Sequence, residues 1–147
     1  MHHMNVSAEQ IAAVLGGSAT LGCAVHTMRE LDALVRAGMP KVALDRLLTK
    51  LDLSAALAVQ MRHKIVPRAT YQRAGRLNLQ VSETIERLAR LYALLQSVFE
   101  DGDAASRFLV TPHPELEGRA PFDVALTEIG GREVEEIIER GLHGLPA

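Results

Sequence analysis

Between Ser82 and Phe99, the apolar residues Ile85, Leu88, Ala89, Tyr92, Leu95 and Phe99 recur at steps of three and four. That spacing puts them along one side of a single helix. Leu91, Leu94 and Val98 widen the stripe beyond what one packing face requires. A helix apolar over so much of its girth has two uses. It is the central core helix of one monomer, or it is shared with a second copy, with Leu88, Leu91, Tyr92 and Leu95 as dimerisation residues. The rest of the composition agrees with a helical fold. Aromatic residues make up only 3% of the 147 residues and Trp is absent, so the core must come from Leu, Ala, Val and Ile. That mixture favours packed helices over a sheet, where aromatic and β-branched residues dominate. The expected fold class is all-α.

The punctuation of the chain supports this. Ser7 with Gln10 and Thr27 with Glu30 have the spacing of capping boxes. Gly16-Gly17 and Gly38 are natural stops for the two helices that follow. Residues 16–26 read as a loop with at most a short extended piece. Pro40 opens a helix whose Val42, Leu44, Leu47, Leu48 and Leu51 form an apolar face. Residues 78–81 read as a linker, and Ser82 with Glu83 starts the long helix. Asp101-Gly102-Asp103 is a turn and cap, 104–109 a short helix, and the Pro-rich run from Thr111 to Gly118 a loop. Pro121 opens another short helix, and Glu128 to Arg140 forms the last one, ended by Gly141.

Residues 53–76 read as a helix, a tight connection and a second helix. Ser54 caps the first, where Leu53, Leu57, Ala58 and Met61 share a face. Pro67 opens the second, which carries Thr70, Tyr71 and Arg73 and can end at Gly75. Such a pair is either a helix-turn-helix, which lays its second helix in a DNA groove, or a helical hairpin with a basic rim. As a DNA reader it would use Arg68, Thr70, Gln72 and Arg73, with Lys64 and Arg76 nearer the phosphates. At its spacing Tyr71 packs inward.

Charge is distributed unevenly. Residues 41–76 carry eight Lys and Arg against two Asp, while residues 77–147 carry six Arg against thirteen Asp and Glu. A basic middle attracts phosphate, and an acidic end repels it and can attract a basic protein. The chain therefore reads as two parts, a helix-turn-helix-like part over 1–76 and a second helical part over 77–147. Nothing suggests catalysis. The six His share no metal-ligand spacing, no Cys/His cluster supports zinc, no Gly-rich phosphate loop is present, and no Ser lies in an elbow motif. No catalytic residue, metal or cofactor is expected. The single Cys23 cannot form an internal disulfide and reads as a small buried residue of a cytoplasmic protein. No apolar run is long enough to span a membrane and no signal peptide is visible.

A series of motifs then points to a family. Gly38-Met39-Pro40, Leu53-Ser54, Val66-Pro67-Arg68-x-Thr70 and Gly75-Arg76-Leu77 come in order in the first half. Arg87-Leu88-Ala89-Arg90, Val98-Phe99, Thr111-Pro112-x-Pro114-x-Leu116, Gly118-Arg119-x-Pro121, Leu126-Thr127-Glu128-x-Gly130, Glu133-Val134-Glu135 and Arg140-x-x-His143-Gly144 follow. From about Leu31 onward the chain resembles the Xre/MbcA/ParS family of antitoxins. Phe108 stands where Trp is common in that family, and Glu117-Gly118 replaces a Gly-Gly pair.

The resemblance implies an Xre-like helix-turn-helix domain followed by a dimerising, toxin-binding domain. It implies a cytoplasmic bacterial antitoxin that neutralises a RES-domain toxin, an enzyme that consumes NAD or transfers ADP-ribose from it. The partners would be that toxin, operator DNA and a second copy of the chain. Carried over by position, the toxin-facing residues are Arg140, Leu142, His143, Gly144 and Leu145. The alternative is a stand-alone helix-turn-helix transcription regulator whose acidic half only dimerises.

Overall fold

The computed structural model describes residues 6–73 and 75–142, apart from the side chain of Leu142. Its helices run in the order α1 (Ala8–Val14), α2 (Gly17–Leu21), α3 (Met28–Ala37), α4 (Lys41–Lys50), α5 (Ala55–Ile65), α6 (Arg68–Arg73), α7 (Leu79–Phe99), α8 (Gly102–Val110), α9 (Pro121–Val124) and α10 (Glu128–Leu142), with a 3₁₀ turn over Pro114–Leu116. Among the described residues the extended pairings are two isolated bridges, Pro40 with Arg76 and His113 with Arg119. The all-α expectation holds.

Both capping boxes form. Gln10 N–H donates to Ser7 Oγ at 3.1 Å while Ser7 N–H donates to Gln10 Oε1 at 2.8 Å. Thr27 and Glu30 exchange the same pair of bonds, both at 3.1 Å. Each satisfies two backbone donors that a helix start leaves without partners. Residues 16–26 differ from the loop expected of them. Gly16 and Gly17, at φ 101° and 73°, reverse the chain directly into the short helix α2. A Cβ at Gly16 would also lie 2.3 Å from Thr20 Oγ1. Cys23, expected inside, is exposed.

The long helix starts earlier than its apolar stripe suggested. Asn78 is its cap, its Oδ1 accepting Val81 N–H at 2.9 Å. Residues 79–81 therefore belong to α7 and not to a linker. Ser82 is a fully buried joint: its Oγ accepts Met39 N–H at 2.9 Å and donates to Leu77 O at 3.2 Å. With Leu77 N–H donating to Met39 O at 2.9 Å, this fastens the α3–α4 corner to the start of α7. Gly38, at φ 103°, is required in that corner, because a Cβ there would lie 2.6 Å from Leu77 O.

α7 packs against α1, α3, α4, α5, α8 and α10. This surrounding is that of a central core helix. Leu88, Leu91, Tyr92 and Leu95, expected to face a second copy, are all buried within one chain. Each such side chain contributes roughly 1.5–3 kcal/mol by leaving water. Among the described residues, α7 therefore spends much of its apolar girth inside one chain. The core is one cluster running from Val6 to Ile138. A division after Arg76 falls just before α7, which packs against elements on both sides of it. Ser106 adds a polar link across the same line, donating to Lys50 O at 2.6 Å.

Candidate functional site

Helix α5 begins as the sequence indicated, with Leu57 N–H donating to Ser54 Oγ at 3.2 Å. Its packing is thinner than expected: only Met61 and Ile65 are buried, and Leu57 is exposed. Val66 then leaves the helix in an extended conformation, φ −140° and ψ 130°. Pro67 requires this, because its ring crowds a helical residue before it. Pro67 O accepts Tyr71 N–H at 2.9 Å, and α6 follows.

α6 has no buried residue. One half-buried side chain, Tyr71, anchors it. The Tyr71 hydroxyl donates to the Asp45 carboxylate at 3.2 Å, and two cations lie over its ring, the Arg62 guanidinium at 4.3 Å and Lys41 Nζ at 4.9 Å. Arg62 Nε is buried without a hydrogen-bond acceptor, as stacking on a ring allows. Partial burial, with the Asp45 carboxylate beside it, holds the Tyr71 phenol above its ordinary pKa. Inward packing of Tyr71 is what its spacing implied.

The six side chains assigned to DNA divide into two groups. Arg68, Gln72 and Arg73 are exposed on α6, and their side chains make no ion pair or hydrogen bond among the described residues. Thr70 is half-buried and lines a groove of about 370 Å³ that is also bordered by Lys64, Pro67, Asn78, Gln80 and Thr84. Lys64 and Arg76 are engaged elsewhere. Lys64 Nζ lies 2.8 Å from Asp123 Oδ1, on α9. Arg76 Nη1 donates to Gly38 O at 2.6 Å, so this arginine clamps the α3–α4 corner. Its position beside a glycine that must approach backbone closely explains the arrangement, which residue spacing alone could not reveal.

The second half is organised by Arg87. This residue interrupts the apolar stripe of α7 and is nonetheless only 9% exposed. Its Nη1 donates to Ala125 O at 3.1 Å and its Nε to Glu128 Oε1 at 3.4 Å, tying α7 to the α9–α10 corner. Two glycines bring α10 close enough. A Cβ at Gly131 would meet Arg87 Cδ at 2.6 Å, and one at Gly130 would meet Val124 O at 1.7 Å. Thr127 starts α10, its Oγ1 accepting Gly130 N–H at 3.0 Å. Next to Arg87 on α7, burial pushes the Glu86 carboxyl above its usual pKa although Arg90 Nε lies 3.2 Å away. Sequence reading assigned no role to Arg87, Gly131 or Asp123. The available signal was an Arg set inside an apolar stripe and a Gly-Gly pair inside a helix.

Arg140, expected at a toxin contact, is used within the chain. Its Nη2 lies 2.7 Å from Glu115 Oε1, so the end of α10 is pinned to the loop at 111–119. That loop closes on itself, with His113 N–H donating to Arg119 O at 3.0 Å and His113 Nδ1 accepting Glu115 N–H at 3.1 Å. Beside it Phe108 lies between His113, at 5.8 Å, and the exposed Phe99, at 6.3 Å. Of the remaining residues assigned to the toxin, Leu142 closes α10, and His143, Gly144 and Leu145 lie outside the described residues.

Two family models match the chain. That of the antitoxin Xre-like helix-turn-helix domain matches residues 30–90, from α3 through α6 into the first half of α7. That of the antitoxin Xre/MbcA/ParS C-terminal toxin-binding domain matches residues 94–144. The chain belongs to the Xre/MbcA/ParS antitoxin family. A search of curated proteins found no match to it. The antitoxin thus carries a helix-turn-helix domain and a toxin-binding domain joined within one helix, α7. No helix among its described residues is long and apolar enough to cross a membrane.

Proposed function

We propose that the chain is the cytoplasmic antitoxin of a RES-domain toxin, an enzyme that consumes NAD or transfers ADP-ribose from it. The antitoxin lays its C-terminal segment over the toxin's active site and blocks it sterically, with no chemistry of its own. The observation that carries this reading is the extent of the toxin-binding match, which passes the end of α10 at Leu142 and reaches residue 144. Gly144 permits close backbone approach to the walls of a cleft. Leu142, His143 and Leu145 are the proposed contacts. Arg140 supports them through Glu115, and the exposed Phe99, beside the half-buried Phe108, offers a further apolar surface in the same half.

The antitoxin also represses its own operon through α6, whose Arg68, Gln72 and Arg73 extend from the surface without partners among the described residues. Arg pairs bidentately with guanine or phosphate, and Gln with adenine. A homodimer belongs to this reading, on a surface other than the four buried α7 side chains.

Co-expression with the toxin gene beside it tests the main claim. The full chain is expected to restore growth and to co-purify with the toxin. A chain lacking residues 142–147 is expected to keep its helical circular dichroism and its melting temperature but to restore no growth. Full rescue by the shortened chain would overturn the blocking mechanism.

A further inference from the structure

Lys64 and Asp123 are 59 residues apart and come from the two domains, yet they form a 2.8 Å ion pair at the edge of the groove beside α6. Both side chains keep solvent contact, Lys64 at 47% and Asp123 at 34%. An anion arriving from solvent can therefore replace the carboxylate without unpacking anything. The walls of the groove carry further donors. Thr70 contributes a hydroxyl and Gln80 an amide, neither side chain with a hydrogen-bond partner among the described residues, and Asn78 lies beside them. The surrounding segment 41–76 is strongly basic, and Asp123 reaches into it from the acidic half. A cation, a hydroxyl and an amide around one groove suit a tetrahedral phosphate oxyanion, which accepts charged and neutral hydrogen bonds together.

We infer that Lys64 is shared: Asp123 of the toxin-binding domain holds it in the free protein, and a DNA backbone phosphate seated against Thr70 takes it over when α6 enters the groove of the duplex. The toxin-binding domain thereby sets the strength and salt dependence of DNA binding. This inference rests on the DNA-binding reading of α6. When phosphate displaces Asp123, the carboxylate must recruit a counterion as the phosphate loses one, so Lys64 adds little to the net ion release. Removing the charge at Asp123 restores its full contribution.

The test uses the full chain and a fluorescein-labelled duplex from its own upstream region, with anisotropy followed against salt. Asp123→Asn is expected to bind about two- to five-fold tighter than the native chain, the range set by an exposed ion pair. Its slope of log affinity against log salt should steepen by up to about 0.9. Lys64→Met should bind more weakly, and adding Asp123→Asn to it should change nothing further. If Asp123→Asn leaves affinity and slope unchanged, or tightens binding equally in the Lys64→Met background, the shared-cation inference is overturned. Arg68→Ala with Arg73→Ala reports on the reading beneath it: no weakening there, or no binding by any variant at low salt, removes DNA binding by α6 itself. Exchanging chloride for inorganic phosphate at constant ionic strength should leave the native affinity unaltered. A loss confined to chains that retain Lys64 would make the groove a free-phosphate site and overturn the DNA assignment.

Discussion

Gly130→Ala is expected to lower the melting temperature of the antitoxin by on the order of 10 °C, a loss of about 2–4 kcal/mol. Helix propensity alone gives the opposite sign. Position 130 lies inside α10 with no left-handed φ, and Ala stabilises a helix interior by about 1 kcal/mol relative to Gly. The added Cβ, however, would lie 1.7 Å from Val124 O, 2.8 Å from Val124 C and 2.9 Å from Thr127 Oγ1. Two of those atoms are backbone and cannot rotate away, so α10 must move off α9. That movement draws Glu128 away from Arg87 and leaves a buried guanidinium short of an acceptor. Thermal melting followed by circular dichroism measures the outcome. An unchanged or raised melting temperature would show that the α9–α10 corner is looser than the structure has it.

Leu95→Ala is expected to destabilise by about 2–5 kcal/mol, the range for deleting a fully buried leucine. The experiment also separates the two uses considered for α7. A residue spent inside one chain gives the same loss at low and high protein concentration. A residue shared between copies gives a loss that depends on concentration, because dissociation is then part of unfolding. Denaturant titrations at two concentrations well apart are expected to give the same difference between Leu95→Ala and the native chain. A midpoint for the native chain that rises with concentration, and does so less in Leu95→Ala, would return this helix face to a subunit interface.

Much of the fold was legible because its signals are local. Ser7, Thr27, Ser54 and Pro67 each act on backbone within a few residues, and the spacing of Ile85, Leu88, Tyr92 and Leu95 is a property of one helix. The features that escaped depend on pairs far apart in the chain. Arg76 could be read as a phosphate contact because nothing nearby reveals Gly38 O, 38 residues earlier. The same holds for Lys64 with Asp123 and for Arg140 with Glu115. A long basic side chain looks free until its partner is placed. The start of α7 was missed for a related reason: Ser82 has the composition of a cap but is buried as a joint, and Asn78 holds the end. On the site, exposure of Arg68, Gln72 and Arg73 agrees with the order of residues around Pro67, whereas the supporting frame of Arg87, Gly130 and Gly131 becomes visible only once α10 lies against α7.

The helix that joins the two domains also determines how the antitoxin can be dismantled. α7 lends its inner faces to α3, α4 and α5 on one side and to α8 and α10 on the other. A cell's protease that cuts this helix, or begins threading the chain from either end and reaches it, strips both domains of their shared interior in one event. The helix-turn-helix domain and the toxin-binding domain would then be lost together, as a single switch, and neither would persist as a folded fragment.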